Sequence, residues 1–142
     1  MSRRVLFDSS VYVQALRERR VELLQSRTYE GAFVHLSAVV GCELLAGAKN
    51  PRSGRELERL WRDSHNTARL VVPAPNDWHD AGVVLSQIAA KYGHEQIGQA
   101  RLVHDAVIAL SARRHGISVV TLNRVHFDLI SEFRPVRILV PH

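Results

Sequence analysis

The chain has 142 residues, of which 46% are hydrophobic and 23% are charged, a balance typical of one folded domain spanning residues 1–142. Its single cysteine, Cys42, excludes an internal disulfide framework and suits a reducing compartment. No stretch approaches the ~18 apolar residues of a membrane span, and the first apolar segment is too short for a signal peptide. We therefore expect a cytoplasmic protein without a membrane partner.

The chain is strongly basic, with a formal net charge of +5 and an isoelectric point of about 10.1. Its basic residues are 17 arginines and only two lysines. Arginine presents a planar fork that matches phosphate oxygens, so this composition favours a nucleic-acid or acidic-protein partner. A genome that favours arginine codons is the alternative explanation of the arginine-to-lysine ratio.

Short runs of β-branched residues alternate along the chain with helical stretches, in the order expected of βαβ units. The predicted strands are residues 4–7, 33–36, 69–72, 118–122 and 136–140, and the predicted helices are residues 10–25, 38–48, 53–64, 76–92, 99–115 and 126–132. Ser37 and Asn76 are predicted helix caps. This alternation indicates an α/β fold with a parallel sheet covered on both faces. Such sheets bind ligands at the carboxyl ends of their strands.

Three acids lie in apolar surroundings. Asp8 directly follows the first predicted strand, Glu43 lies within residues 38–46, and Asp105 lies within residues 102–110. An unpaired carboxylate in such a place costs several kcal/mol, so it is paired or bound to a cation. A shared divalent cation removes the repulsion among the acids, and oxygen ligands indicate Mg²⁺ or Mn²⁺. The one cysteine and eight scattered histidines show no zinc spacing.

Each acid also has a structural explanation. Asp8 caps the helix that begins near residue 10, Glu43 pairs with an arginine, and Asp105 accepts hydrogen bonds as a buried acid. These three explanations are weaker together than singly, because one shared site accounts for all three acids. The sequence therefore predicts that Asp8, Glu43 and Asp105 are catalytic and hold the metal ion.

Several segments match a known family in order and spacing over nearly the whole chain. They are FDSS at 7–10, Ser37 with CELLAGA at 42–48, HDAVIALSA at 104–112 leading to His115-Gly116, and VVTLN at 119–123 with Phe127. The set resembles the PIN-domain ribonucleases, and within them the VapC-like toxins of type II toxin–antitoxin pairs. The resemblance implies a PIN-like three-layer α/β/α fold with a central parallel sheet. It also implies a metal-dependent endoribonuclease acting on single-stranded or structured RNA, a cognate VapB-like antitoxin and a homodimer.

The resemblance also assigns roles to individual residues. The family's acidic metal-binding positions fall on Asp8, Glu43 and Asp105. Asn123 falls on a position that often completes the metal site as Asn or Asp. Ser9 and Thr121 fall on small polar positions that support the site.

One position departs from the family pattern. The family commonly has an acid just before the phenylalanine, whereas this chain has His126 there and an acid, Asp128, just after Phe127. Asp128 is either the substitute fourth metal residue or a plain surface acid. His126 either contacts phosphate or is polar surface.

The implied reaction is phosphodiester hydrolysis by a metal-activated water, with no Ser-His-Asp or Cys-His arrangement. Substrate contacts are expected from arginines at helical spacing, which share one face if their helix begins at Pro51. They are Arg52, Arg55, Arg59 and Arg62, and the opposing apolar stripe is Leu57, Leu60 and Trp61. This ridge faces RNA or a partner, or it is an ordinary solvated helix face.

Three other classes of protein are compatible with an α/β fold. A phospho-receiver domain needs an acid after the third strand, where this chain has VPAP at residues 72–75. A haloacid-dehalogenase-type phosphatase needs Asp-x-Asp after the first strand, where this chain has Asp8-Ser9-Ser10. A catalytically silent RNA- or protein-binding module on the same fold stays open, because of the departure at His126.

Overall fold

A computed structural model of the chain describes residues 3–96 and 100–141. The strands in these residues are β1 (Arg4–Phe7), β2 (Thr28–Tyr29), β3 (Ala32–Ser37), β4 (Leu70–Val71), β5 (Ser118–Val120) and β6 (Ile138–Leu139). The α-helices are α1 (Ser9–Arg17), α2 (Glu22–Gln25), α3 (Ala38–Ala46), α4 (Pro51–Asn66), α5 (Pro75–Tyr92), α6 (Ala100–Arg114) and α7 (Arg124–Phe133). None of the described helices is both long and apolar enough to cross a bilayer.

The sheet places β1 at its centre, in the order β2-β3-β1-β5-β6, with β4 pairing with the carboxyl end of β3. β1 runs parallel to both of its neighbours, so that Val5 is opposite Val34 of β3 and Leu6 is opposite Val119 of β5. The chain leaves β1 towards one side of the sheet and returns to β5 on the other side. The carboxyl end of β1 is therefore the switch point of the sheet, where ligands of α/β folds bind.

The helices pack in two groups against this sheet. One group joins α1 to α3 and α3 to α4, and the other joins α5, α6 and α7 to one another. Helix α6 is the most deeply buried, and Ala106, Val107, Ile108 and Ala109 have no exposed surface. Such burial on every side is typical of a helix in the interior of a domain. The α/β fold class and the mostly parallel central sheet are thus confirmed.

One local prediction was wrong, and one local feature was not predicted. The helix predicted over residues 10–25 is broken into α1 and α2, because Arg19 adopts a left-handed conformation (φ 57°) and the Arg20 N–H donates to the Ala15 carbonyl. The antiparallel pairing of β2 with β3 was not predicted. Its turn uses Glu30 and Gly31 at positive φ, and two-residue strands are too short to show an alternating pattern.

The helix caps give one confirmed prediction and one correction. Ser37 caps α3, since its hydroxyl accepts from the Val40 N–H. Asn76 does not cap α5, which begins one residue earlier at Pro75, because the Asp77 carboxylate accepts from the Ala74 N–H at 2.8 Å and fixes the first turn there.

Most predicted boundaries of the other elements shift by one to three residues. The predicted strands over 33–36, 69–72, 118–122 and 136–140 are β3, β4, β5 and β6, and the predicted helices over 38–48, 53–64 and 126–132 are α3, α4 and α7. The helix predicted over 99–115 is α6, and its predicted first residue, 99, lies outside the described residues. Helix α4 begins at Pro51, which is the start required for the four arginines to share one face.

Candidate functional site

Asp8 stands at the carboxyl end of the central strand and is only 3% exposed. It precedes α1 in the N-cap position, but its side chain makes no cap hydrogen bond. Its carboxylate instead accepts from the Thr121 hydroxyl at 2.7 Å and from the Ser10 hydroxyl at 2.5 Å. The helix-cap explanation of Asp8 therefore does not apply, and the carboxylate is held against the end of β5.

The segment after β5 orients these hydroxyls. The Asn123 backbone N–H donates to Thr121 Oγ1 at 2.9 Å, and the Leu122 N–H donates to Ser10 Oγ at 3.2 Å. Thr121 is fully buried, whereas the Asn123 side chain is exposed and makes no cap bond to α7. Asn123 thus supports the described site through its backbone, and Thr121 fixes the position of Asp8.

Asp105 lies on the buried helix α6 and is 6% exposed. Its Oδ2 lies 2.8 Å from His126 Nδ1. Burial raises the pKa of the Asp105 carboxyl from 3.8 to about 6; the His126 hydrogen bond and charge oppose this rise, and the nearby Asp8 carboxylate adds to it. The two aspartates therefore interact across the site, although 97 residues separate them in sequence.

Glu43 projects from α3 and is partly buried. Its Oε2 lies 3.6 Å from His104 Nδ1, so its partner is a histidine and not an arginine. Its Oε1 is buried and accepts no hydrogen bond from the described residues. Within residues 3–96 and 100–141, no three His, Cys, Asp or Glu side chains lie close enough to hold a metal ion unaided. The structure thus brings Asp8 and Asp105 together, with Glu43 paired separately.

Two site residues were missed or undervalued by the sequence reasoning. His126 is not polar surface, since its side chain is 13% exposed and bonds to Asp105. Arg101 precedes Asp105 by four residues on α6, and its Nη2 donates to Ser9 Oγ at 3.1 Å. The i, i+4 spacing on a predicted helix was the available signal for Arg101. No local pattern predicts the contact of His126.

The remaining predicted residues lie on exposed surfaces. Asp128 is exposed on α7 and pairs with Arg124 at 3.3 Å. On α4, three of the four predicted arginines line an open groove of about 610 Å³, together with Glu58. Those three are Arg55, Arg59 and Arg62; Arg52 is exposed on the same helix. Leu57 and Leu60 are buried on the opposite side.

With this geometry in view, the chain can be compared with known proteins. The PIN domain family model matches residues 5–132. No curated protein is significantly similar in sequence. A solved structure of FitAcB from Neisseria gonorrhoeae has 26% sequence identity and a TM-score of 0.58, over 95% of this chain and 96% of that one.

Two further solved structures share the fold at lower identity. DNA-bound VapBC from Salmonella typhimurium is 20% identical over 99% of this chain and 98% of that one, with a TM-score of 0.58. VapBC-5 from Mycobacterium tuberculosis, from the VapBC family of toxin–antitoxin systems, is 16% identical over 97% and 98%, with a TM-score of 0.59. Because the family model spans nearly the whole chain, the protein belongs to the PIN domain family.

Proposed function

We propose that this protein is a Mg²⁺- or Mn²⁺-dependent endoribonuclease toxin, that residues 1–142 form one PIN domain, and that its active site centres on Asp8 and Asp105 with Glu43 beside them. One observation carries the proposal: two buried carboxylates interact at the switch point of the sheet. Folding does not favour such a pair, because the Asp8 charge makes ionisation of the buried Asp105 carboxyl more costly. An arrangement that opposes stability in this way is typical of functional sites.

The described residues fit a divalent cation. Asp8 and Asp105 supply carboxylate oxygens in mutual electrostatic contact, and Glu43 Oε1 is a buried oxygen without a hydrogen-bond donor. Hard oxygen donors of this kind suit Mg²⁺ or Mn²⁺. Asn123 is the proposed fourth residue, and Asp128 is the weaker alternative because it is engaged by Arg124.

The chemistry that such a cation supplies is activation of a water molecule and neutralisation of charge on the phosphodiester. The protein's own contribution is positioning. Thr121 and Ser10 donate to both oxygens of Asp8 and fix its orientation, and Ser9 adjoins it. Asp105 is held by His126 on a helix whose residues 106–109 have no exposed surface.

We further propose that the partners are an RNA substrate, a cognate VapB-like antitoxin and a second copy of this chain, in the cytoplasm. The support for the antitoxin is that the solved structures with this fold include VapBC and FitAB assemblies, some of them bound to DNA. The net charge of +5 and the groove lined by Arg55, Arg59 and Arg62 support a polyanionic partner.

A catalytically silent binding module is the second candidate. The observation that favours it is the hydrogen bond from the His126 imidazole to Asp105, where the family resemblance leads us to expect an acid nearby. In this alternative, the imidazole takes the place of a metal ion as the partner of Asp105.

The test is cleavage of a single-stranded RNA in Mg²⁺ or Mn²⁺ by wild type and by Asp8→Asn. We expect the substitution to lower the cleavage rate by at least 100-fold, because it removes a proposed metal ligand and an acidic charge. Asp80→Asn is the matched control, since Asp80 lies on α5 outside the proposed site and pairs with His79, and cleavage should change less than twofold. Equal cleavage by wild type and Asp8→Asn contradicts the proposed site, and RNA binding without cleavage in either metal supports the silent module.

A further inference from the structure

A second feature of the site is a cleft of about 470 Å³ that opens beside Glu43 and Ser9, the residue after Asp8. Among the residues that the structure describes, three cationic side chains line it: Arg17 from the end of α1, Lys49 before α4 and Arg101 from α6. Glu43 is the one acidic residue in this described lining. Such a surplus of positive charge in a concave site concentrates an anionic ligand.

Arg101 is the cation that connects this cleft to the acids. It lies one helical turn before Asp105, and its Nη2 donates to the Ser9 hydroxyl, directly after Asp8 in the chain. Within residues 3–96 and 100–141 its guanidinium makes no ion pair with a carboxylate, and Ser9 takes only one of its five N–H donors. The guanidinium is therefore held in position with donors left for a ligand.

The rest of the lining suits a nucleotide. The beginning of α4 faces the cleft through Asn50 and Ser53, and the positive end of this 16-residue helix dipole favours an anion there. Val13, Leu16 and Leu44 give the cleft an apolar side. A nucleotide combines an anionic phosphate with an apolar ring face, whereas a run of acidic residues offers charge without such a face.

We propose that this cleft binds the phosphodiester backbone of single-stranded RNA beside the scissile position, with Arg101 as its main phosphate-binding residue. This inference rests on the proposed ribonuclease function. Arg101 balances the charge of a substrate phosphate that Asp8 and Asp105 would otherwise repel, and the Ser9 hydroxyl fixes its guanidinium beside the acids. Arg17 and Lys49 extend the same path away from the acids.

The experiment measures binding of a fluorescently labelled uridine decamer by anisotropy over a series of salt concentrations, in EDTA so that no cleavage occurs. Arg101→Gln should weaken binding about tenfold and lower the slope of log K against log salt by about 0.7, the loss of one phosphate contact on a single strand. Arg101→Lys should keep the slope but bind more weakly than wild type, because the charge remains and the fork is lost.

Arg113→Gln is the matched control, because Arg113 lies in the last turn of the same helix and, within the described part of the chain, donates only to the Pro135 carbonyl. Binding and slope should change less than twofold. An unchanged salt slope in Arg101→Gln overturns the inference. Equal losses for the RNA and for a labelled deca-glutamate peptide also overturn it and assign the cleft to an acidic peptide. If the slope falls as expected but wild type cleaves no RNA in Mg²⁺ or Mn²⁺, the phosphate site stands and the nuclease proposal fails.

Discussion

Asp105→Asn should stabilise the metal-free protein at neutral and alkaline pH. Asp105 and Asp77 are buried aspartates with nearly the same exposure, 6% and 3%. Asp77 accepts from the Arg114 guanidinium at 3.0 Å and from the Ala74 N–H at 2.8 Å. For Asp105, burial outweighs the contact with His126, and the pKa of its carboxyl rises to about 6. The Asp105 charge therefore opposes folding, whereas the Asp77 charge is compensated.

The sign and size of the effect follow from this rise in pKa. Between pH 3.8, the ordinary value, and pH 6, the native state holds more protons than the unfolded state, so the free energy of unfolding falls as pH rises. Above pH 6 the full penalty is present. A rise of about two units corresponds to about 3 kcal/mol at 1.36 kcal/mol per unit. The stability that protonated Asp105 confers below pH 3.8 is lost as pH passes through 6.

The assay is urea unfolding in EDTA at pH 4 and at pH 8. Asp105→Asn should exceed wild type by less than about 1 kcal/mol at pH 4 and by about 3 kcal/mol at pH 8. Asp77→Asn is the control and should destabilise at pH 8 by about 1–3 kcal/mol, because it weakens the pair with Arg114. A loss of stability in Asp105→Asn at pH 8, or a gain independent of pH, would refute the reasoning.

Two further substitutions test the packing and the site. Gly41→Ala should lower the free energy of unfolding by about 1–3 kcal/mol, because its Cβ would lie 2.7 Å from the Trp61 ring, and this is measured by thermal or urea unfolding. Gly82→Ala, with nothing within 4 Å, should instead stabilise α5 by up to about 1 kcal/mol. Thr121→Val should cost about 1–3 kcal/mol and reduce RNA cleavage, since Asp8 loses its buried hydroxyl donor; unchanged stability and cleavage would contradict the role assigned to Thr121.

The fold class and the position of Asp8 were predictable because both depend on local order. Alternating strands and helices imply a parallel sheet, and an acid directly after a strand must lie at its carboxyl end. The break after α1 was not predictable, because the residue at positive φ is Arg19. A glycine at this position would have indicated such a conformation in the sequence. Asparagine is a preferred capping residue, and Asn76 was predicted to cap α5 for that reason. In the structure, Asp77 and Pro75 together fix the start of this helix.

The partners of the acids were harder to predict than the acids themselves. His126 reaches Asp105 across 21 residues, and Arg101 reaches Ser9 across 92. These contacts depend on how α6 and α7 pack and on where β1 ends, and no periodicity in the sequence encodes either. The apolar neighbours of Asp8 and Asp105 in the sequence indicated that these acids are unusual. No such pattern distinguishes His126 and Arg101 from ordinary surface residues.

The charged groups around Asp105 affect how favourable the proposed site is for a cation. His126 and Arg101 each lower the pKa of Asp105, yet burial and the Asp8 carboxylate together keep it near 6. His126 and Arg101 therefore offset only part of the effect of burial and of Asp8 on the Asp105 carboxyl. Relaxation of Asp105 towards water is opposed by α6, because Leu102, Ala106, Val107 and Ile108 are completely buried around it. For the proposed cation, carboxylates held by such a buried helix need less reorganisation before their charge is neutralised than flexible carboxylates would.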